Sequence, residues 1–113
     1  MITWENIGLT NGWSVRSGSF AARAGITEDG SFIAVAGEIT HAPTTGTNPF
    51  EGNLIGTLPV KASTKSQDVP ALATTKSTIT SASLYVGTNG DLTLYGLPQG
   101  TQIVAFSALI PAA

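Results

Sequence analysis

The side chains best suited to move a proton near neutral pH are seven carboxylates and one histidine. The carboxylates are Glu5, Glu28, Asp29, Glu38, Glu51, Asp68 and Asp91. Glycoside hydrolysis needs two of them opposed across a groove. Glu28 and Asp29 are neighbours in a turn and point apart, and Asp91 completes the turn begun by Asn89-Gly90. Glu5 with Glu38 is a pair that could still meet in space. His41 would have to serve any Ser-His-Asp arrangement alone, and no Gly-x-Ser-x-Gly elbow accompanies it. It reads as a solvated or locally bonded loop histidine. One histidine and no cysteine leave only carboxylates as further zinc ligands. No Asp-x-Asp calcium loop occurs. These residues point away from an enzyme, and no catalytic residue, cofactor or metal is expected.

Two other groups could recognise a partner. Trp4, Trp13, Tyr85 and Tyr95 could stack on sugar rings, although aromatics on strands more often serve a core or an interface. Lys61, Lys65 and Lys76 share one polar segment. They read as solvating a loop, with contact to an acidic neighbouring protein as the sharper alternative.

The elements that position these residues are strands. The chain has 113 residues, 42% of them hydrophobic and only 11% charged. An ordinary soluble domain carries about 25% charged residues, so much of the surface is expected to face something other than water. The length predicts a single domain over 1–113 with one modest core. The net charge is −2 with no basic stripe, which argues against nucleic acid as a partner. No cysteine means no disulfide. No basic-then-apolar leader opens the sequence, and its apolar runs are far too short to span a membrane as a helix. Synthesis in a cytoplasm is expected, in keeping with the lack of an Asn-x-Ser/Thr acceptor.

Apolar spacing of three and four is missing over any long stretch, whereas alternation and turn residues recur. Ile2 to Leu9 is extended, and Asn11-Gly12 is a favoured tight-turn pair. Ser19 to Thr27 and Ser31 to Thr40 read as hairpin arms around Glu28-Asp29-Gly30. His41 to Asn53 is a loop with Phe50 as its large apolar anchor, followed by a strand at Leu54–Leu58. Val60 to Ser77 reads equally as a strand in altered register or a surface loop, and Pro70–Ala73 could form one helical turn. Thr78 to Val86 and Asp91 to Tyr95 flank the second hairpin turn signal, Asn89-Gly90. Seven to nine short strands of this kind predict an all-β antiparallel sandwich, jelly-roll-like or barrel fold. A parallel sheet would need crossover helices that the sequence lacks.

The last run, Gln102 to Ile110, is apolar on both faces. One face carries Ile103, Ala105, Ser107 and Leu109, and the other Val104, Phe106, Ala108 and Ile110. A half-exposed strand would be polar on one side. Another copy of the chain, or a larger assembly, is therefore expected to cover one face. Val104, Phe106, Ala108 and Ile110 are the interface candidates there, joined by Met1, Ile2, Trp4 and Phe50 from the N-terminal end and the long loop.

The order of short motifs resembles a known family. Trp4-Glu-Asn-Ile-Gly-Leu-Thr-Asn-Gly-Trp13-Ser14 opens the chain, and Val35-Ala-Gly-Glu-Ile39 follows the first hairpin. Leu54-Ile-Gly-Thr-Leu-Pro59 and then Ser83-Leu-Tyr-Val-Gly-Thr-Asn-Gly-Asp-Leu92 complete the series. This is similar to a β-sandwich domain at the tips of bacteriophage tail fibres and in minor structural proteins. The resemblance spans nearly the whole chain. It implies a homotrimeric virion component, without catalysis, made in the bacterial host cytoplasm. It departs where Val60-Lys-Ala-Ser63 replaces the Gly, aromatic and Arg-Pro that usually follow the Leu-Pro turn. Receptor contacts near that turn are therefore not carried over. With Met1 leading straight into Trp4, a free-standing domain without a shaft is expected. That ranks a capsid decoration protein docked on the major capsid protein first. A tail-fibre tip recognising host cell-surface glycan is the alternative.

Overall fold

The computed structural model describes residues 2–41, 52–61, 63, 65–76, 78–98 and 100–112. Met1, Phe50 and most of the His41–Asn53 loop lie outside them. Among the described residues there are ten strands and no helix. They are β1 (Thr3–Asn6), β2 (Gly8–Leu9), β3 (Ser14–Val15), β4 (Arg23–Ile26), β5 (Phe32–Thr40), β6 (Asn53–Thr57), β7 (Gln67–Thr74), β8 (Ile79–Val86), β9 (Asp91–Tyr95) and β10 (Ile103–Pro111). All pairings are antiparallel.

The strands hydrogen-bond in the order β1-β4-β5-β10-β7-β8-β9-β6-β2, with β3 on β5. The two ends of this path are consecutive in the chain, separated only by Ile7. One extended strap, Thr3 to Leu9, thus pairs with β4 through its first half and with β6 through its second. At the crossing the Ile7 amide donates to Ala22 O at 2.8 Å, and its side chain is buried. The sheet is in effect a flattened barrel closed by that strap, and closure removes the free edges that invite aggregation.

Tight turns form where the sequence supplies their chemistry. Asn11 and Gly12 have φ of 57° and 85°, the pair of positive angles of a type I′ turn, and Trp13 N donates to Thr10 O. In the Asn89 turn the side-chain oxygen accepts from Asp91 N at 3.0 Å. Between β4 and β5, Asp29 Oδ1 accepts from Ser31 N at 3.0 Å and from the Thr27 hydroxyl at 2.9 Å. Those bonds favour the ionised carboxylate and hold the Asp29 pKa below its ordinary 3.8, the Ser31 amide being the largest cause.

The interior alternates along each strand. Ile33, Val35 and Ile39 of β5 face inward with Val104, Phe106 and Ile110 of β10, Val69, Ala71 and Ala73 of β7, and Leu84, Val86, Leu92 and Leu94 beyond. The undecided Val60–Ser77 stretch contains β7, and Pro70–Ala73 is strand rather than helical turn. Proline is tolerated there because the β10–β7 ladder runs only from Ile103↔Thr74 to Phe106↔Ala71. Pro70 lies just past its end, where a missing amide donor costs little. Beyond that point β10 and β7 separate, and the Gln67 side chain donates across the gap to Pro111 O at 2.9 Å.

One expectation is corrected. Val104, Phe106 and Ile110 are 0%, 4% and 5% exposed in the single chain, and Ala108 packs against the same core. That face of β10 is the chain's own interior. The face turned outward is Ile103, Ala105, Ser107 and Leu109, the last 60% exposed.

Candidate functional site

The outer face of four adjacent strands is floored by small side chains. Register sets Glu38, Ala105, Leu72 and Ser81 in one row across β5, β10, β7 and β8. Ala36 and Ser107 lie side by side in the next row. Short side chains in the middle of such rows leave a trough.

One wall of the trough comes from a mismatch in pairing. β3 and β4 both pair with β5, Val15 opposite Ile39 and Arg23 opposite Ala36. The seven residues 16–22 must therefore pass the two residues Gly37 and Glu38, and the surplus loops outward. Arg16 N bonds Glu38 O at 2.9 Å and Ser19 N bonds Arg16 O at 3.0 Å, which shapes the loop. Ala22 returns to the core over Gly37. Phe20 is left 78% exposed, the most exposed large apolar residue among the described residues. Loop and floor enclose a groove of about 690 Å³. That volume falls in the range of small-ligand sites, about 300–1,000 Å³.

Both charged residues of the groove sit at its loop end. The Glu38 carboxylate accepts from the Arg16 guanidinium. The pair is partly exposed, so it contributes about 0–1 kcal/mol and serves mainly to orient the carboxylate. The Arg23 guanidinium carbon lies 4.4 Å from the Trp4 ring centroid and 5.1 Å from that of Phe20. Contact with two ring faces leaves the edge of the guanidinium plane, where its N–H donors point, turned away from the rings. The remaining lining is Ser19, Ser81 and Ser107 hydroxyls among Pro70, Leu72 and alanines. The arrangement can hold a ligand that presents apolar faces and hydroxyl or carboxylate edges.

The residues singled out in the sequence are distributed as follows. Trp4 stands beside the groove through Arg23, and Ile2 covers Gly25, where an added Cβ would lie 2.6 Å from Ile2 Cγ2. Glu5 and Glu38 are not brought together. Glu5 registers with Ala24, which registers with Val35, and Glu38 is engaged by Arg16. His41 is locally bonded. Its Nε2–H donates to Asn11 O at 3.2 Å, and its ring lies 4.9 Å from that of buried Trp13. Tyr85 and Tyr95 meet edge-to-face at 6.2 Å on the outer side of β8 and β9. Lys61, Lys65 and Lys76 are exposed. Among the described residues no group of three His, Asp or Glu side chains gathers as a metal site. No helix there is long and apolar enough to cross a membrane. Sequence reasoning missed Phe20, Arg23, Leu72 and Ser107. A large aromatic within Gly18-Ser-Phe-Ala21, a stretch otherwise of small residues, was the available signal for the first.

No protein-family model matches this sequence, and neither does any curated protein sequence. Solved structures do share the fold. The head domain of lactococcal phage bIL170, described in a study of a common fold for receptor-binding domains of lactococcal phages, superposes with a TM-score of 0.73. The two chains are 14% identical and each is covered in full. The receptor binding protein of Listeria phage PSA gives the same TM-score and identity over all of this chain and 66% of that one. The chain therefore has the all-β fold of phage receptor-binding head domains.

Proposed function

We propose that this chain is a receptor-binding domain at the tip of a bacteriophage tail, which recognises carbohydrate on the host surface through the outer-face groove. The observation that carries the reading is agreement in fold, over the whole of this chain, with the head domain of one phage and part of the receptor binding protein of another. The groove supports it independently, since exposed Phe20, stacked Arg23 and a hydroxyl-bearing floor suit the mixed faces and edges of sugars. The expected order of readings is thereby reversed: the receptor-binding tip comes before capsid decoration. The reading carries no catalytic step and no cofactor. It places the chain in the virion as a homotrimer, supported by Ile79 and Leu109, which stay 67% and 60% exposed on β8 and β10 outside the groove lining. The test is co-sedimentation of the purified protein with cell walls of Lactococcus and Listeria strains, before and after periodate oxidation of their sugars. Binding to a subset of strains that periodate abolishes is the expected result. Binding that survives oxidation, or no binding to any wall, contradicts the reading.

A further inference from the structure

Three Asx-Gly pairs occur in the chain, Asn11-Gly12, Asp29-Gly30 and Asn89-Gly90. In such a pair the glycine nitrogen can attack the side-chain carbonyl carbon before it, because no Cβ blocks the approach. Two of the pairs hold both reacting groups apart. The Gly30 N–H donates to Thr27 O at 2.8 Å and the Gly90 N–H to Gly87 O at 3.0 Å. The side-chain oxygens of Asp29 and Asn89 each accept from the amide two residues on, at 3.0 Å. Asn89 is tied again through Nδ2, which donates to Asp91 Oδ2 at 3.1 Å, and Gly90 is buried. Asn11-Gly12 differs on each count. Both residues are exposed. Among the described residues no group accepts from the Gly12 N–H, and the Asn11 side chain is held through Nδ2 alone, which donates to Leu54 O at 2.9 Å. The peptide oxygen between the two, Asn11 O, accepts from His41 Nε2–H at 3.2 Å. The imidazole stands so close that a Cβ on Gly12 would lie 2.9 Å from Nε2. An amide nitrogen that loses its proton shares the charge with its carbonyl oxygen, so a donor on that oxygen stabilises the anion.

We propose that Asn11 is a modification site, where the folded chain converts its own asparagine to an acidic residue with water as the co-reactant and His41 as the group that stabilises the attacking anion. Gly12 N gives its proton to solvent base and its electron pair forms a bond to Asn11 Cγ. The Cγ–Nδ2 bond breaks, and the nitrogen leaves as ammonia with a proton from water. Water then opens the cyclic imide. Cleavage of the new bond to Cγ gives aspartate, and cleavage of the bond to the Asn11 main-chain carbonyl carbon gives isoaspartate. Nothing is oxidised or reduced. The Asn11 Nδ2 bond to Leu54 O continues the run that ties the strap to β6, next after Thr10 N to Ile55 O at 2.9 Å. Either product presents oxygen to Leu54 O where a donor stood, and isoaspartate also adds a main-chain atom to a tight turn. Conversion therefore loosens the strap at its β6 end, slowly and without return.

The experiment incubates native and denatured protein at the same mildly alkaline pH and reads aspartate and isoaspartate at each position by peptide mapping. Asn11 and Asn89 share the local sequence Thr-Asn-Gly, so each is the other's reference. In denaturant the two should convert at similar rates. In the native protein Asn11 should convert at least about tenfold faster, because attack at Asn89 must first break the Gly90 hydrogen bond. His41→Leu should lower the native ratio of Asn11 to Asn89 conversion about tenfold, the scale of one hydrogen bond to a developing charge. His41→Gln, which keeps a donor, should retain part of that ratio. Converted protein should show faster amide exchange at Gly8, Leu9 and Thr10, with β5 and β10 as protected as before. Native Asn89 converting as fast as Asn11, or Asn11 not converting at all, overturns the proposal. A ratio in His41→Leu and His41→Gln equal to or above that of the wild type overturns the part given to His41, since a histidine that merely steadied the turn would slow conversion rather than promote it.

Discussion

Gly37 and Phe106 are directly opposed on β5 and β10, and neither works without the other. A Cβ built on Gly37 would lie 2.9 Å from the tip of the Phe106 ring and 3.0 Å from Ala22 Cβ. The missing side chain is the space that the ring and the returning loop occupy. Gly37→Ala should therefore destabilise by about 1–3 kcal/mol through overpacking, read from denaturant unfolding. Phe106→Ala should cost about 3–5 kcal/mol, because the enclosed ring leaves a cavity. Asp29 supplies a pH dependence. Its folded pKa lies below 3.8, so its bonds to Ser31 and Thr27 contribute fully above that value and are lost as pH falls through the lower folded value. A carboxyl titration midpoint for Asp29 at or above 3.8 in NMR would refute that assignment. The burial of Phe106 was legible from its place in an apolar strand. Which face of β10 points inward was misread, because period two distinguishes two faces without saying which one is covered. Ser107, a polar residue on the outer face, was the local clue.

Among the elements, the strap from Thr3 to Leu9 does most to make a barrel out of a sheet. It reaches both ends of the strand path through six register pairs, and Ile7 is its one fully buried anchor among the residues of β1, β2 and the junction. Ile7→Ala should cost about 2–5 kcal/mol. The loss should appear first as faster amide exchange in β1 and β2 while β5, β10 and β7 remain protected, since weakly held elements open below the global unfolding energy. Uniform acceleration across all strands would show that the strap is not a separate unit. Both Asx-Gly hairpins were readable because their geometry is set by adjacent residues. Strand β7 was not, since Pro70 is acceptable only at the point where β10 leaves it. The groove wall was equally hidden. Residues 16–22 loop out because β3 and β4 share β5 as a partner, and no local spacing records that coincidence.

At the scale of the whole molecule, the low charge content does correspond to apolar outer surface, but not the surface that the last strand suggested. Ile110→Lys would place a charge in the chain's own core and should unfold the domain. Leu109→Lys should leave the fold intact by circular dichroism. In the proposed homotrimer Leu109, at the end of β10 beyond the groove lining, is a contact, so the same change should reduce the mass by light scattering from three chains to one. The central claim, a receptor-binding tip rather than a capsid decoration, is tested most directly by one side-by-side binding measurement. Purified protein is incubated with Lactococcus and Listeria cells and, separately, with empty capsids of phages that infect them. The account predicts saturable binding to cells, competed by cell-wall oligosaccharide, and none to capsids. Saturable binding to capsids without binding to cells would contradict it.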